Sequence, residues 1–146
     1  MTTLAEKLVN ASQLLFIGVG NVLKSDDGVG VYISRRIIEK PHITVLTVEV
    51  SIENYIGKIQ AMEPGEIIMI DCMDLGKEPG AFRFMEINQV EDMTFNTHNI
   101  SLGAWGDFLP FPAFVLGIQP LNLDFGELLS PPVLRTSRRI LNLINT

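Results

Sequence analysis

The chain is predicted to be an α/β protein in three layers, with helices on both faces of a five-stranded, mainly parallel sheet. Three observations predict it. Short apolar, β-rich runs recur at Leu14–Val19, Ile43–Val50, Glu66–Ile70, Ala81–Ile87 and Phe114–Ile118. Helical patterns fill most of the intervals, at Thr3–Ala11, Gly28–Glu39, Ile52–Met62, Ile100–Leu109 and Pro131–Ile144. The first run is apolar throughout rather than alternating, as a strand covered on both faces must be. Strands alternating with helices read as βαβ units, whose crossovers lay helices on a parallel sheet. No internal repeat, low-complexity tract or linker interrupts the pattern, so residues 1–146 are expected to form one domain, long enough to bury its own core.

Taken in order, Leu14–Val19 ends on Gly18-Val19-Gly20, a buried strand entering a tight turn. From Gly28 onward Val29, Ile33 and Ile37 recur at i, i+4 and i+8, the core stripe of a helix. The pair Asp26-Asp27 therefore falls in the strand-to-helix loop at the carboxyl end of the first strand. In open parallel sheets that rim is where ligands bind. The run EIIMID is a buried strand that stops on Asp71, on the same rim. Lys77-Glu78-Pro79-Gly80 is a turn between the third and fourth strands, short enough for that pair to run antiparallel. Asn96-Thr97-His98-Asn99 is a polar patch before the helical spacing of Ile100, Ala104 and Phe108. Ser130-Pro131 opens the last helix as an N-cap with proline at the first helical position.

Composition excludes several classes. No apolar stretch reaches the roughly 18 residues of a membrane span, and the polar N-terminal segment lacks the apolar core of a signal peptide. The lone cysteine, Cys72, cannot form an internal disulfide and suits a reducing compartment, so a cytoplasmic location is expected. With 17 acidic against 11 basic side chains, the net charge of −6 disfavours a nucleic-acid partner.

The residues able to do chemistry are few. Asp27, Asp71 and His98 come from three segments, and the first two belong to the sheet's rim by pattern alone. Two carboxylates and one imidazole make a three-ligand set for a borderline divalent metal, leaving positions open for substrate or water. Each has a plainer reading. Asp26 or Asp27 can cap the following helix, Asp71 can bond loop amides, and His98 can be structural. Glu49, Glu53 and Asp74 are further rim carboxylates, and Cys72 reads as a small core residue. No G-x-S-x-G nucleophile elbow occurs. Gly18 and Gly20 match only two glycines of G-x-G-x-x-G, Leu23 stands at the third, and the acidic pair would repel a pyrophosphate.

GVGNVLKSDDGVGV, IIMIDCMDLGKEPGAFRF, FNTHNISL and FVLGIQP, in this order, resemble the maturation endopeptidases of nickel–iron hydrogenase large subunits. The stretch from Asp74 to Gly80, the THN triplet and LGIQP look most like the branch serving formate-hydrogenlyase (hydrogenase 3) enzymes. The resemblance spans nearly the whole chain. It implies a peptidase, classed by family as aspartic-type, on a fold of the phosphorylase/hydrolase-like kind. Its substrate would be the nickel-loaded large-subunit precursor, from which it removes a C-terminal peptide. By motif, the family's nickel-binding residues fall on Asp27, Asp71 and His98, with the nickel carried by the substrate and no organic cofactor. Asp27 is the first candidate for a catalytic base, beside Asp71. The chain departs from the family in lacking a D-G-G-like turn after the second strand: TVEVSIENYIGKI has no glycine before Gly57. Two other readings use the same residues. A nickel-sensing maturation chaperone needs the same three ligands. A peptidyl-tRNA hydrolase shares the G-x-G-N strand end, but its histidine follows the first strand closely, whereas His98 lies far downstream.

Overall fold

The computed structural model describes residues 3–90 and 109–146. Its strands are β1 (Leu14–Val19), β2 (Ile43–Glu49), β3 (Glu66–Cys72), β4 (Phe82–Glu86) and β5 (Ala113–Ile118), and its helices α1 (Leu4–Asn10), α2 (Val29–Ser34), α3 (Ile56–Met62) and α4 (Pro131–Asn145). The strands form one sheet in the order β2-β1-β3-β5-β4. Pairs β1–β2, β1–β3 and β3–β5 are parallel. The predicted α/β class and five-stranded, mainly parallel sheet are therefore correct. The helix expected over Ile100–Leu109 falls, except for Leu109, outside the described residues, as does His98.

Side chains leave the central strands alternately to two cores. On one face Leu15, Ile17 and Val19 of β1 and Ile67 and Met69 of β3 pack with Ile59 of α3. On the other, Leu14, Phe16, Ile68 and Ile70 meet Leu4 of α1, Val29 and Ile33 of α2, and Val133, Ile140 and Leu141 of α4. Period-2 strands between apolar-striped helices produce this three-layer arrangement. Helix α4 buries Val133, Thr136, Ser137, Ile140, Leu141 and Ile144, an i, i+3, i+4 stripe along its full length. Helix α2 lies hard against the sheet because position 30 has no side chain. A Cβ there would sit 2.0 Å from the Ile70 carbonyl oxygen of β3.

Three expectations need correction. The short turn after β3 does not make β3 and β4 neighbours. β4 pairs antiparallel with β5, and β5 sits between them. The six residues of β5 are all buried, whereas β4 buries only Met85. Apolar surface drives β5 inward and leaves the more polar strand at the edge. The helix expected over Gly28–Glu39 is regular only over Val29–Ser34, entered through a 3₁₀ turn at Ser25–Gly28 and left through Arg36→Ile33 and Ile37→Ser34 backbone bonds. Likewise, Ile52–Met62 begins as a 3₁₀ turn at Ile52–Tyr55 before α3 starts. Glu63 then terminates α3 in the left-handed region (φ 47°), with Pro64 next. Among the described residues no helix is long and apolar enough to cross a membrane.

Candidate functional site

From β1 the chain crosses by α2 to β2 on one side, then returns through α3 to β3 on the other. The sheet's topological switch point is thus the crevice between the carboxyl ends of β1 and β3. Gly18 of β1 is level with Ile70 of β3, so Asp71 lies immediately beyond it, at that crevice. Strand β3 runs two residues past its expected end and carries Asp71 and Cys72 within it. Asp27 lies in the 3₁₀ turn that follows β1 and packs against β3. Both carboxylates are buried, Asp27 at 1% exposure and Asp71 at 0%.

The two acids flank the turn at Gly20-Asn21. The Asn21 amide donates to Asp27 Oδ2 at 2.9 Å. The Cys72 amide donates to Asp71 Oδ1 at 2.8 Å. Gly20 makes this approach feasible. Its φ of 137° belongs to glycine, and a Cβ on it would stand 2.0 Å from the Asp27 carbonyl oxygen and 3.8 Å from Asp71 Oδ1. Gly20, the second glycine of the partial G-x-G fingerprint, therefore lets the turn close between the two acids, while Gly18 admits helix α2 at Ser34 and Gly30. The Cys72 thiol feels the same charges. Burial first, then Asp71, Asp27 and Asp26, push its pKa far above the ordinary thiol value. A thiol held neutral this way is a core group, as expected for Cys72, and not a nucleophile.

Asp26 behaves differently from its neighbour. It caps no helix: the residue before α2 is Gly28, and no side chain bonds that helix end. Its fully buried carboxylate instead crosses to the segment before α4. It accepts from the amides of Leu121 (2.9 Å), Asn122 (3.0 Å) and Ser130 (2.7 Å) and from the Ser130 hydroxyl (2.7 Å). Ser130 is the N-cap residue of α4, followed by proline, but its side chain makes no capping bond. It serves Asp26. Backbone bonds from Ser25 to Gly126 and from Gly126 to Leu23 reinforce the same junction. Asp26 thus anchors the 121–130 loop beside the crevice, a role that sequence spacing could not disclose because its partners lie about a hundred positions away.

Glu49, Asp74 and Glu53 are the other rim carboxylates the sequence offered. Glu49 is half-buried at the end of β2, 4.0 Å from Arg35, and holds a φ of 54°. Asp74 is exposed and accepts the Gly76 amide. Glu53 is half-buried in the 3₁₀ turn before α3. Among the described residues no three of His, Cys, Asp and Glu are grouped to hold a metal ion. Asp27 and Asp71 lie at the same crevice, on either side of Gly20-Asn21, and His98 lies outside the described residues.

Comparison with known proteins identifies the family and the fold. The family model for HycI, hydrogenase maturation protease, matches residues 29–146. The hydrogenase expression/formation protein HupD of Bradyrhizobium diazoefficiens is 30% identical, over 84% of this chain and 70% of that one. The hydrogenase 3 maturation protease of Escherichia coli K12 is 27% identical, over 79% of this chain and 78% of that one. The crystal structure of the maturation protease HycI from Thermococcus kodakarensis superposes with a TM-score of 0.85 at 22% identity, covering 99% and 97% of the two chains, a likeness of fold.

Proposed function

Because this chain belongs to the hydrogenase maturation protease family, we propose that it is the endopeptidase that trims a C-terminal peptide from the precursor of a nickel–iron hydrogenase large subunit. One observation carries the reading to the atoms. In a chain of this family, two buried acids, Asp27 in the turn after β1 and Asp71 near the end of β3, lie on either side of Gly20 at the switch-point crevice. A site with two oxygen donors and one imidazole has no thiolate and too few protein ligands to hold a borderline metal tightly by itself. It suits a nickel ion that arrives on the substrate. Asp27, Asp71 and His98 fill the open positions of that ion, the role of His98 resting on its THN motif. Docking of the loaded nickel brings the C-terminal segment across the rim.

Hydrolysis then needs a base for water. Asp27 takes that part. Its Oδ2 is fixed by the Asn21 amide, which orients the carboxylate at the crevice. The nickel carried by the precursor would anchor it in register on Asp27, Asp71 and His98; in the alternative, it would itself polarise the scissile carbonyl and activate water. The enzyme works in the cytoplasm, on a precursor not yet closed around its metal.

The test is processing of nickel-loaded and nickel-free precursor by chelator-treated enzyme, read as substrate mass. Loaded precursor should lose its C-terminal peptide, and nickel-free precursor should remain intact whatever metal is added to the enzyme. If chelator-treated enzyme fails on loaded precursor and added zinc or nickel restores it, the metal belongs to the enzyme and the checkpoint reading is wrong. Binding of loaded precursor without any mass loss would identify a chaperone.

A further inference from the structure

On a chain with 17 acidic and 11 basic side chains, one cleft is basic. It holds about 730 Å³ between the Lys77–Gly80 turn, the start of β4 and the first half of α4, and Lys77, Arg83, Arg135 and Arg139 line it. Glu78 is its one acidic lining residue among those described. All four cations are exposed. The ion pairs of the described residues, Lys7–Glu66 and Arg35–Glu49, involve none of them. Like charges gathered in one cleft repel, and an anionic occupant relieves that repulsion. Pro79, Pro132 and the half-exposed Phe82 add apolar surface to the same lining.

The cleft opens at the carboxyl rim. Phe82 pairs with Ile118, the residue level with Cys72 of β3. Its walls are tied together: the Thr136 hydroxyl donates to the Gly80 carbonyl, and the Gly80 amide to the Gln119 carbonyl at 2.9 Å. Helix α4, which supplies Arg135 and Arg139, is fixed at its start by the bond of Ser130 to Asp26. A rigid scaffold thus joins the basic cleft to the crevice of Asp27 and Asp71.

We propose that this cleft seats an acidic segment of the polypeptide substrate, clamping it on the rim while the scissile bond lies at the crevice; the partner's identity rests on the endopeptidase reading. Carboxylates on an extended peptide fit better than a phosphate group. The end of α4 that borders the cleft begins Pro131-Pro132, and proline has no amide to offer a phosphate at a helix N-terminus. Arg135 and Arg139 are one helical turn apart, so they present two cations in a row, as a run of acidic side chains requires.

The experiment uses the whole protein and the double variant Arg135→Glu/Arg139→Glu. Both side chains are exposed, and an unchanged melting temperature verifies folding. The first probe is a short fluorescein-labelled peptide rich in Asp and Glu, followed by anisotropy. Wild type should bind it, weakening about tenfold at high salt, and the double variant should lose at least about tenfold in affinity. In processing of nickel-loaded precursor the same variant should raise KM about tenfold at low salt, with kcat within about twofold and the difference closing at high salt. Arg135→Lys/Arg139→Lys should behave as wild type. Equal peptide affinity, or an equal KM, in wild type and the reversal variant overturns the proposal. Displacement of the peptide by inorganic phosphate at matched ionic strength also overturns it, assigning a small-anion site instead. Wild type that binds the peptide but processes no precursor overturns the protease reading and the partner's identity, and leaves acidic-peptide recognition standing.

Discussion

Replacing Asp26 by alanine should unfold the rim, while altering its neighbour Asp27 should only silence it. The Asp26 carboxylate is fully buried and accepts four hydrogen bonds, three from backbone amides and one from the Ser130 hydroxyl. A hydrogen bond to a charged acceptor contributes about 1.5–3 kcal/mol net. Leu121 and Asn122 are exposed, so water takes over their amides and each of those two bonds counts for less than about 1 kcal/mol. The two bonds from the half-buried Ser130 count more nearly in full. The total is about 3–5 kcal/mol, which in a chain of this length lowers Tm by roughly 6–20 °C. Asp27→Asn retains an oxygen for the Asn21 amide and removes the negative charge. It should melt within about 2 °C of wild type and process no nickel-loaded precursor. Urea and thermal unfolding followed by circular dichroism, beside the mass-based cleavage assay, separate the two effects. An Asp26→Ala protein that melts with wild type would refute the anchoring role. An Asp27→Asn protein that still cleaves would refute its role as base and ligand.

Further outcomes follow from single observations. Gly20→Ala should cost more than about 3 kcal/mol and abolish processing, because a Cβ at that φ strikes the Asp27 carbonyl; urea denaturation and the cleavage assay measure both. Glu63→Gly should raise Tm by about 2–4 °C, since glycine relieves the left-handed end of α3 at roughly 1 kcal/mol. Cys72, whose thiol is pushed far up by burial and three carboxylates, should resist thiol reagents until the protein unfolds. The sign of its pH dependence is fixed by the same shift. Below the unfolded pKa of about 8.5 both states hold the proton. Above it only the unfolded state releases it, so stability falls by about 1.4 kcal/mol per pH unit. Urea midpoints between pH 8 and 10 should show that slope in wild type and lose the Cys72 contribution in Cys72→Ala.

Much of the fold was legible because its signals are local. The apolar run Leu14–Val19, the i, i+4, i+8 stripe of Val29, Ile33 and Ile37, and the α4 stripe from Val133 to Ile144 are set within windows of a turn or two. Once β1 and β3 are parallel, geometry sends their carboxyl ends to one rim, so Asp27 and Asp71 could be assigned to it by pattern. The residues offered His98 as the third ligand and the resemblance fell on the same three positions, of which His98 lies outside the described residues.

Other features depended on closure between distant segments, about which a local pattern is silent. The insertion of β5 between β3 and β4 was decided by competition for burial: β5 offers six buried positions, and β4 offers one. The division of labour within Asp26-Asp27 was decided likewise. Adjacent and chemically identical, the two side chains leave the 3₁₀ turn toward different neighbours, Asp26 to Ser130 and Asp27 to Asn21. Ser130 read as a helix cap because local chemistry favours it there, yet a buried charge binds a hydroxyl and an amide more strongly than a solvated helix end does. The sequence by itself determined which segments are strands and helices and which acids reach the rim. Only the packed chain decided which acid anchors a loop and which faces the crevice, because that choice lies in contacts between residues far apart along it.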